Sequence, residues 1–344
     1  MSCHLQYQQI NRKRLGVLIA GVFALLLAIL GDLSTGSAGL DLLSVISILL
    51  AGPNDPSISS TIVWQLRLPM TLTALFVGTA LSLAGLQIQN ITQNALASPS
   101  TLGITSAASF GAAIAISLGI SVFNALWIGT ALSAFLFALI VSFAIYALGV
   151  KRSMTPQTVI LGGIVMNFFF MALQQVLIYR ASPEIAQLIN GWTFGNLERS
   201  SWLSVAVAIV PTVIVALVLW KRSWAITALT LGEERALSLG VNVKRLRIET
   251  FFLSSVLIAC AVSFIGTISF VGLVAPHLAK LVLGEDQRFL LPGSLLAGAL
   301  LMTVSSVIAK LLSTGAIMPV GIVTSLIGVP FLLVLLIRHS RGNY

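Results

Sequence analysis

Few residues in this 344-residue chain have the type and spacing to do chemistry. His277, in VAPHLAK, sits inside an apolar run. Metal ligation needs further ligands, and no Cys/His spacing of the zinc or iron kind accompanies it. It reads as a hydrogen-bonded structural residue. Cys3 precedes the first apolar run and Cys260 falls in the middle of another, so a disulfide between them is not expected. The acidic pair Glu233–Glu234 lies in LGEERALSLG, the most polar stretch of the chain.

What is missing is equally informative. Between Arg67 and Gly149 there is no Asp, Glu or His, and no acid is expected in the middle of any apolar run. Ionisable side chains inside a membrane usually mark proton or ion relays, so their scarcity argues against an ion-coupled secondary carrier. No acid pair or metal triad suggests a membrane protease. No GxxxxGK[ST] phosphate loop is present. The chain is therefore expected to be no enzyme and to bind no cofactor itself. Any ATP and Mg would belong to a partner.

The elements that carry these residues follow from composition. Hydrophobic residues make up 57% of the chain and charged ones 8%, against about 25% charged in soluble domains. Two soluble domains could not be covered by so few charges, so soluble enzymes and nucleic-acid binders are excluded. Ten apolar runs recur, at about 15–33, 67–90, 100–119, 125–149, 157–179, 202–220, 247–265, 269–284, 290–309 and 319–338. Most have the roughly 20 residues a spanning helix needs. The first is too long for a cleavable signal core and reads as a retained helix. Gly, Ala, Ser and Thr run through all ten and let helices pack closely in lipid. The expectation is an all-α integral membrane protein of about ten transmembrane helices.

Charge sets the orientation. With the N-terminus inside, 15 of the 19 bases fall on the inner side, among them Arg12, Lys13, Arg14, Arg152, Arg222, Arg247, Lys280 and Arg288. Only Arg67, Arg180, Arg199 and Lys310 fall outside. The positive-inside rule favours this arrangement, with both termini cytoplasmic. The net charge of +9 then reports topology and lipid-headgroup contact, not nucleic acid.

Two connections exceed a tight turn. The outer one, 180–201, carries an apolar–polar pattern around EIAQLINGW that suits a short helix at the membrane surface. The inner one, 221–247, holds LGEERALSLG, where early acids suit a helix dipole and Gly240 can end the helix. A short polar helix outside the lipid suggests a docking surface for a cytoplasmic partner.

Six stretches, in order, resemble the permease subunits of ATP-binding-cassette importers for iron–siderophore, haem and vitamin B12. They are WQLRLP (64–69), AGLQIQNITQNALASPSTLG (84–103), LGEERALSLG (231–240), GTISFVGLVAPHLAK (266–280), GEDQRFLLPGSLLAGALL (284–301) and PVGIVTSLIGVPFLLVLL (319–336). The resemblance implies one permease domain over 1–344, with a cytoplasmic tail at 1–14 and a cytoplasmic coupling region at 221–246. It implies a multi-pass protein of the bacterial inner membrane, with a second permease, two ATPase subunits and a periplasmic substrate-binding protein as partners. The expected cargo is a ferric chelate, with haem or vitamin B12 as alternatives. Gly232, Glu233, Glu234, Ala236, Leu239 and Gly240 would form the coupling helices that enter a cleft of the ATPase. Asn94 and Leu96 would constrict an inner gate opposite Pro156 and Gln157. Arg67 and Lys310 would meet acidic residues of the binding protein. The pathway would have a neutral lining of Ser, Thr, Asn, Gln and Met. The family's usual charges are absent at Met70, Gln93, Ile317 and Thr303–Ser306, and its usual Pro is Ala95. The loss of charge suggests pairing with a non-identical permease.

Overall fold

A computed structural model describes residues 2–36, 39–151, 155–313 and 317–341. Arg152, one of the expected inner bases, lies outside them. The chain begins with α1 (Ser2–Ser34), α2 (Leu42–Ala51) and α3 (Ile58–Thr61). A π-helical turn, Ile62–Arg67, then leads into α4 (Leu68–Thr92). Next come α5 (Ile104–Leu118), α6 (Leu126–Lys151), α7 (Pro156–Arg180), α8 (Pro183–Thr193) and α9 (Trp202–Lys221). The series closes with α10 (Ser223–Thr230), α11 (Glu233–Ser238), α12 (Val243–Ile265), α13 (Val271–Leu283), α14 (Gln287–Leu312) and α15 (Val320–Arg341).

Each of the ten apolar runs forms a helix. Among the described residues, seven helices are long and apolar enough to cross a membrane: α1, α4 with the segment before it, α6, α7, α9, α12 and α14. The other three runs give shorter apolar helices, α5, α13 and the Val320–Leu335 part of α15. The structure adds α2, whose ten residues fall below the length that marks a span.

The core is built around α4, from which most side chains between Pro69 and Thr92 are buried. No hydrophobic drive holds helices together in lipid, so close backbone approach has to do it. A Cβ at Gly85 would lie 1.7 Å from the Gly272 carbonyl oxygen of α13, and one at Gly78 2.3 Å from that of Gly298 on α14. Those glycines bring the helices into backbone contact. Buried hydroxyls tie α4 to its neighbours as well: Ser82 donates to the Ser294 carbonyl of α14 at 2.7 Å, and the Thr73 hydroxyl lies 3.1 Å from that of Ser204 on α9.

Helical order breaks between α12 and α13. Gly266 (φ 86°) and Phe270 (φ 67°) bracket this non-helical stretch, which membranes tolerate only where protein covers it or it lines a cavity. Here the Asn196 amide donates to the Ile265 carbonyl at 2.7 Å, and the Thr267 hydroxyl to the Thr193 carbonyl at 2.5 Å. Gly328 on α15 leaves room for the Phe270 side chain, since a Cβ there would come 2.4 Å from the Phe270 ring.

Candidate functional site

At the base-rich end, the 221–247 connection folds as two short helices. α10 and α11 are joined through Gly232 (φ 111°), and α11 ends at Gly240 (φ 80°), conformations that disfavour a side chain. Ala236 is fully buried and anchors α11, whereas Glu234, Leu237 and Leu239 are exposed. Glu233 differs from its neighbour. Its carboxylate accepts from Arg247 at 2.8 Å, and Arg247 is buried at the start of α12. One acid of the pair therefore fastens α11 to the body, and the other is free to face outward. Leu231, Leu237 and Leu239 add an apolar surface around Glu234. An exposed apolar set beside a charge, outside the packed helices, is what a protein partner recognises.

The Asn94–Leu96 loop follows α4 directly. The Asn94 side-chain oxygen accepts from the Leu96 amide at 2.9 Å, and the Leu96 side chain is exposed. Gln93, in a left-handed turn (φ 47°), donates from Nε2 to the Leu229 carbonyl at the end of α10, 3.1 Å away. That bond joins the loop to the α10–α11 pair. In the sequence Gln93 stands out only as a position where the family's usual charge is absent. Pro156 opens α7, capped by Thr155, with Gln157 exposed beside it.

Between α5, α7 and α8 lies a cavity of about 390 Å³ whose walls include Ser106, Ser109, Asn167, Gln174, Thr193 and Thr267. Hydroxyls and amides line it beside Met171 and Ile178, and among the described residues no charged one does. Gln174 donates to the Thr193 hydroxyl at 3.0 Å, and Ser106 to the Asn167 side-chain oxygen. α8 is a short helix within 180–201, where the sequence suggests one. It begins at a Ser182 cap and buries Ile189 and Trp192.

At the opposite end the structure brings Arg67 and Lys310 together. Arg67 is 6% exposed and the Lys310 side chain 4%, and both line a cavity of about 730 Å³ shared with Glu198 and Ile317. Both close around Asp32, which is fully buried near the end of α1. Lys310 Nζ stands 2.9 Å from the Asp32 carboxylate and donates to the Asp32 carbonyl. The Thr71 hydroxyl donates to the same carboxylate at 2.5 Å. Arg67 donates to the Leu33 and Ser34 carbonyls at 2.6 and 3.1 Å, meeting acceptors that the end of α1 leaves free. The run at 15–33 concealed this acid, because a single Asp at the end of an apolar stretch gives no sign of a partner 278 positions away.

His277 stacks edge-on against Phe331 of α15, ring centroids 5.9 Å apart.

The sequence profile of the FecCD transport family matches residues 24–338. The chain is 35% identical to the hemin transport system permease protein HmuU of Yersinia pestis, covering 92% of this chain and 95% of that one. It is 37% identical to the cobalamin import system permease protein BtuC of Halobacterium salinarum, over 82% of this chain and 74% of the relative. A solved structure described as an inward-facing metal-chelate type ABC transporter superposes with a TM-score of 0.82 at 31% identity. It covers 94% of this chain and 99% of that one.

Proposed function

The chain belongs to the FecCD transport family, and from that premise we propose that it is the permease through which an ATP-driven importer moves a ferric chelate from periplasm to cytoplasm across a bacterial inner membrane. It is a transport subunit and not an ATPase. It works beside a second, non-identical permease, two ATPase subunits that hold ATP and Mg, and a periplasmic binding protein. The base-rich end faces the cytoplasm.

One observation carries this reading. α11 stands outside the packed helices, fixed from beneath by Glu233–Arg247 and buried Ala236, with Glu234, Leu237 and Leu239 turned outward. Gly232 and Gly240 supply the turns at its ends, and the set forms the coupling surface for the ATPase. Motion there passes through Gln93 to Asn94 and Leu96, which close the inner path with Pro156 and Gln157. The neutral cavity between α5, α7 and α8 offers hydrogen bonds to a bulky ligand without holding it by charge. Arg67 and Lys310 serve the binding protein from within, by holding the α1–α4–α14 corner on which it docks.

Glu234→Arg tests this cleanly, because Glu234 is exposed and Glu233 has a structural ion pair. The variant is expected to insert normally, to lose copurification with its ATPase and to abolish uptake. Full assembly and uptake in Glu234→Arg would overturn the coupling role.

A further inference from the structure

A second cavity, of about 400 Å³, lies between α1, α13 and α14 and is almost wholly apolar. Val17 and Gly21 form its α1 wall, Val282 its α13 wall, and Gly293, Leu296 and Val304 its α14 wall. From Gly293 to Val304 is 11 residues, about 16 Å at 1.5 Å per residue. That is close to half of a hydrocarbon core of about 30 Å, so the groove spans one leaflet. Gly21 keeps it open: a Cβ there would meet only Leu296 Cδ1, at 3.6 Å.

The mouth of the groove lies at the base-rich end. Arg14 stands one helical turn before Val17 and Leu18, on the same face of α1. Its guanidinium lies over the Phe289 ring, 5.3 Å from the centroid, and 3.7 Å from Asp286. Arg12 and Lys13 are exposed beside it and form none of the ion pairs found among the described residues. At this corner Arg14, Lys280 and Arg288 pair with the two acids Glu285 and Asp286, which leaves Arg12 and Lys13 as the exposed bases of the same helix end.

We propose that this groove is a binding site for one anionic phospholipid, with an acyl chain between α1 and α14 and its phosphate against Arg14 and the exposed Arg12–Lys13 pair. The depth matches one leaflet, the lining excludes a polar ligand, and the excess of bases at the mouth selects a negative headgroup. Basic residues near a membrane surface each favour anionic lipid by about fivefold. The site lies apart from the α10–α11 surface and from the polar cavity, so it is independent of the transport reading.

The test is native mass spectrometry of the purified full-length chain titrated with phosphatidylglycerol or phosphatidylcholine, alongside thermal melting. One phosphatidylglycerol is expected to be retained in preference to phosphatidylcholine and to raise the melting temperature. Arg12→Gln with Lys13→Gln should cut that preference about 25-fold. Gly21→Leu fills the groove without a backbone clash and should weaken both lipids alike, leaving lipid-free melting unchanged. Equal retention of the two lipids by the unmodified chain would overturn the proposal. So would phosphatidylglycerol retention that neither variant alters.

Discussion

Replacing Lys310 by Met should destabilise the fold far more than it disturbs any docking. Lys310 and Asp32 stand 2.9 Å apart with side chains 4% and 0% exposed. At an effective dielectric constant of about 20 their attraction is about 6 kcal/mol. Desolvation of two buried ions offsets most of that, so the pair adds little net stability over an apolar replacement. Removing one partner is different. With Lys310→Met the Asp32 carboxylate keeps the Thr71 hydroxyl and the neighbouring Arg67, but remains buried without its ion pair, a situation that costs about 3–5 kcal/mol. Asp32→Asn removes the orphaned charge, so the double variant should recover at least about 2 kcal/mol of the loss. Equilibrium unfolding in mixed micelles across the four proteins of the cycle measures this. Additivity within about 0.5 kcal/mol would refute the coupling. A Lys310→Met protein of unchanged stability that fails to respond to its binding protein would refute the structural role altogether.

Two further outcomes follow from other contacts. Gln93→Ala removes the bond from the α4 end to the Leu229 carbonyl; stability should fall by about 1 kcal/mol, and ligand-stimulated ATPase activity of the reconstituted importer should drop while basal hydrolysis is unchanged. Asp286 caps α14 and accepts from Arg288, which holds its carboxyl below the ordinary value of 3.8 despite the opposing effect of burial. Its contribution is therefore present above that ordinary value and lost as pH falls through the lower, folded one; the melting difference between the unmodified chain and Asp286→Asn should vanish over that acid window.

Local pattern carried the fold a long way. Long apolar runs declared their helices because a bilayer sets a minimum length, and the LGEERALSLG segment stood out because polar helix has no place inside lipid. α2 escaped for the same reason in reverse, being too short to register as a span. The depth of the outer charges was not legible, because a sequence shows charge but not depth. Arg67 and Lys310 look like two of four outward bases until Asp32, on the first helix, is brought between them. Within the coupling segment, Glu233 and Glu234 are indistinguishable as letters. Only the arrival of Arg247, 14 residues later, separates the acid that fastens α11 from the acid that faces a partner. The walls of the polar cavity come from four separate parts of the chain, which no local pattern brings together.

The backbone contacts at Gly78–Gly298 and Gly85–Gly272 bear on how this chain can drift over time. At each of these four positions the smallest possible side chain, one methyl group, already overlaps the neighbouring helix. Selection there acts on a distance and not on a reaction. Where relatives keep glycine at these positions, the invariance reports how close two helices must stand, and a search for transport residues by invariance alone would return the seams of the bundle before the path through it.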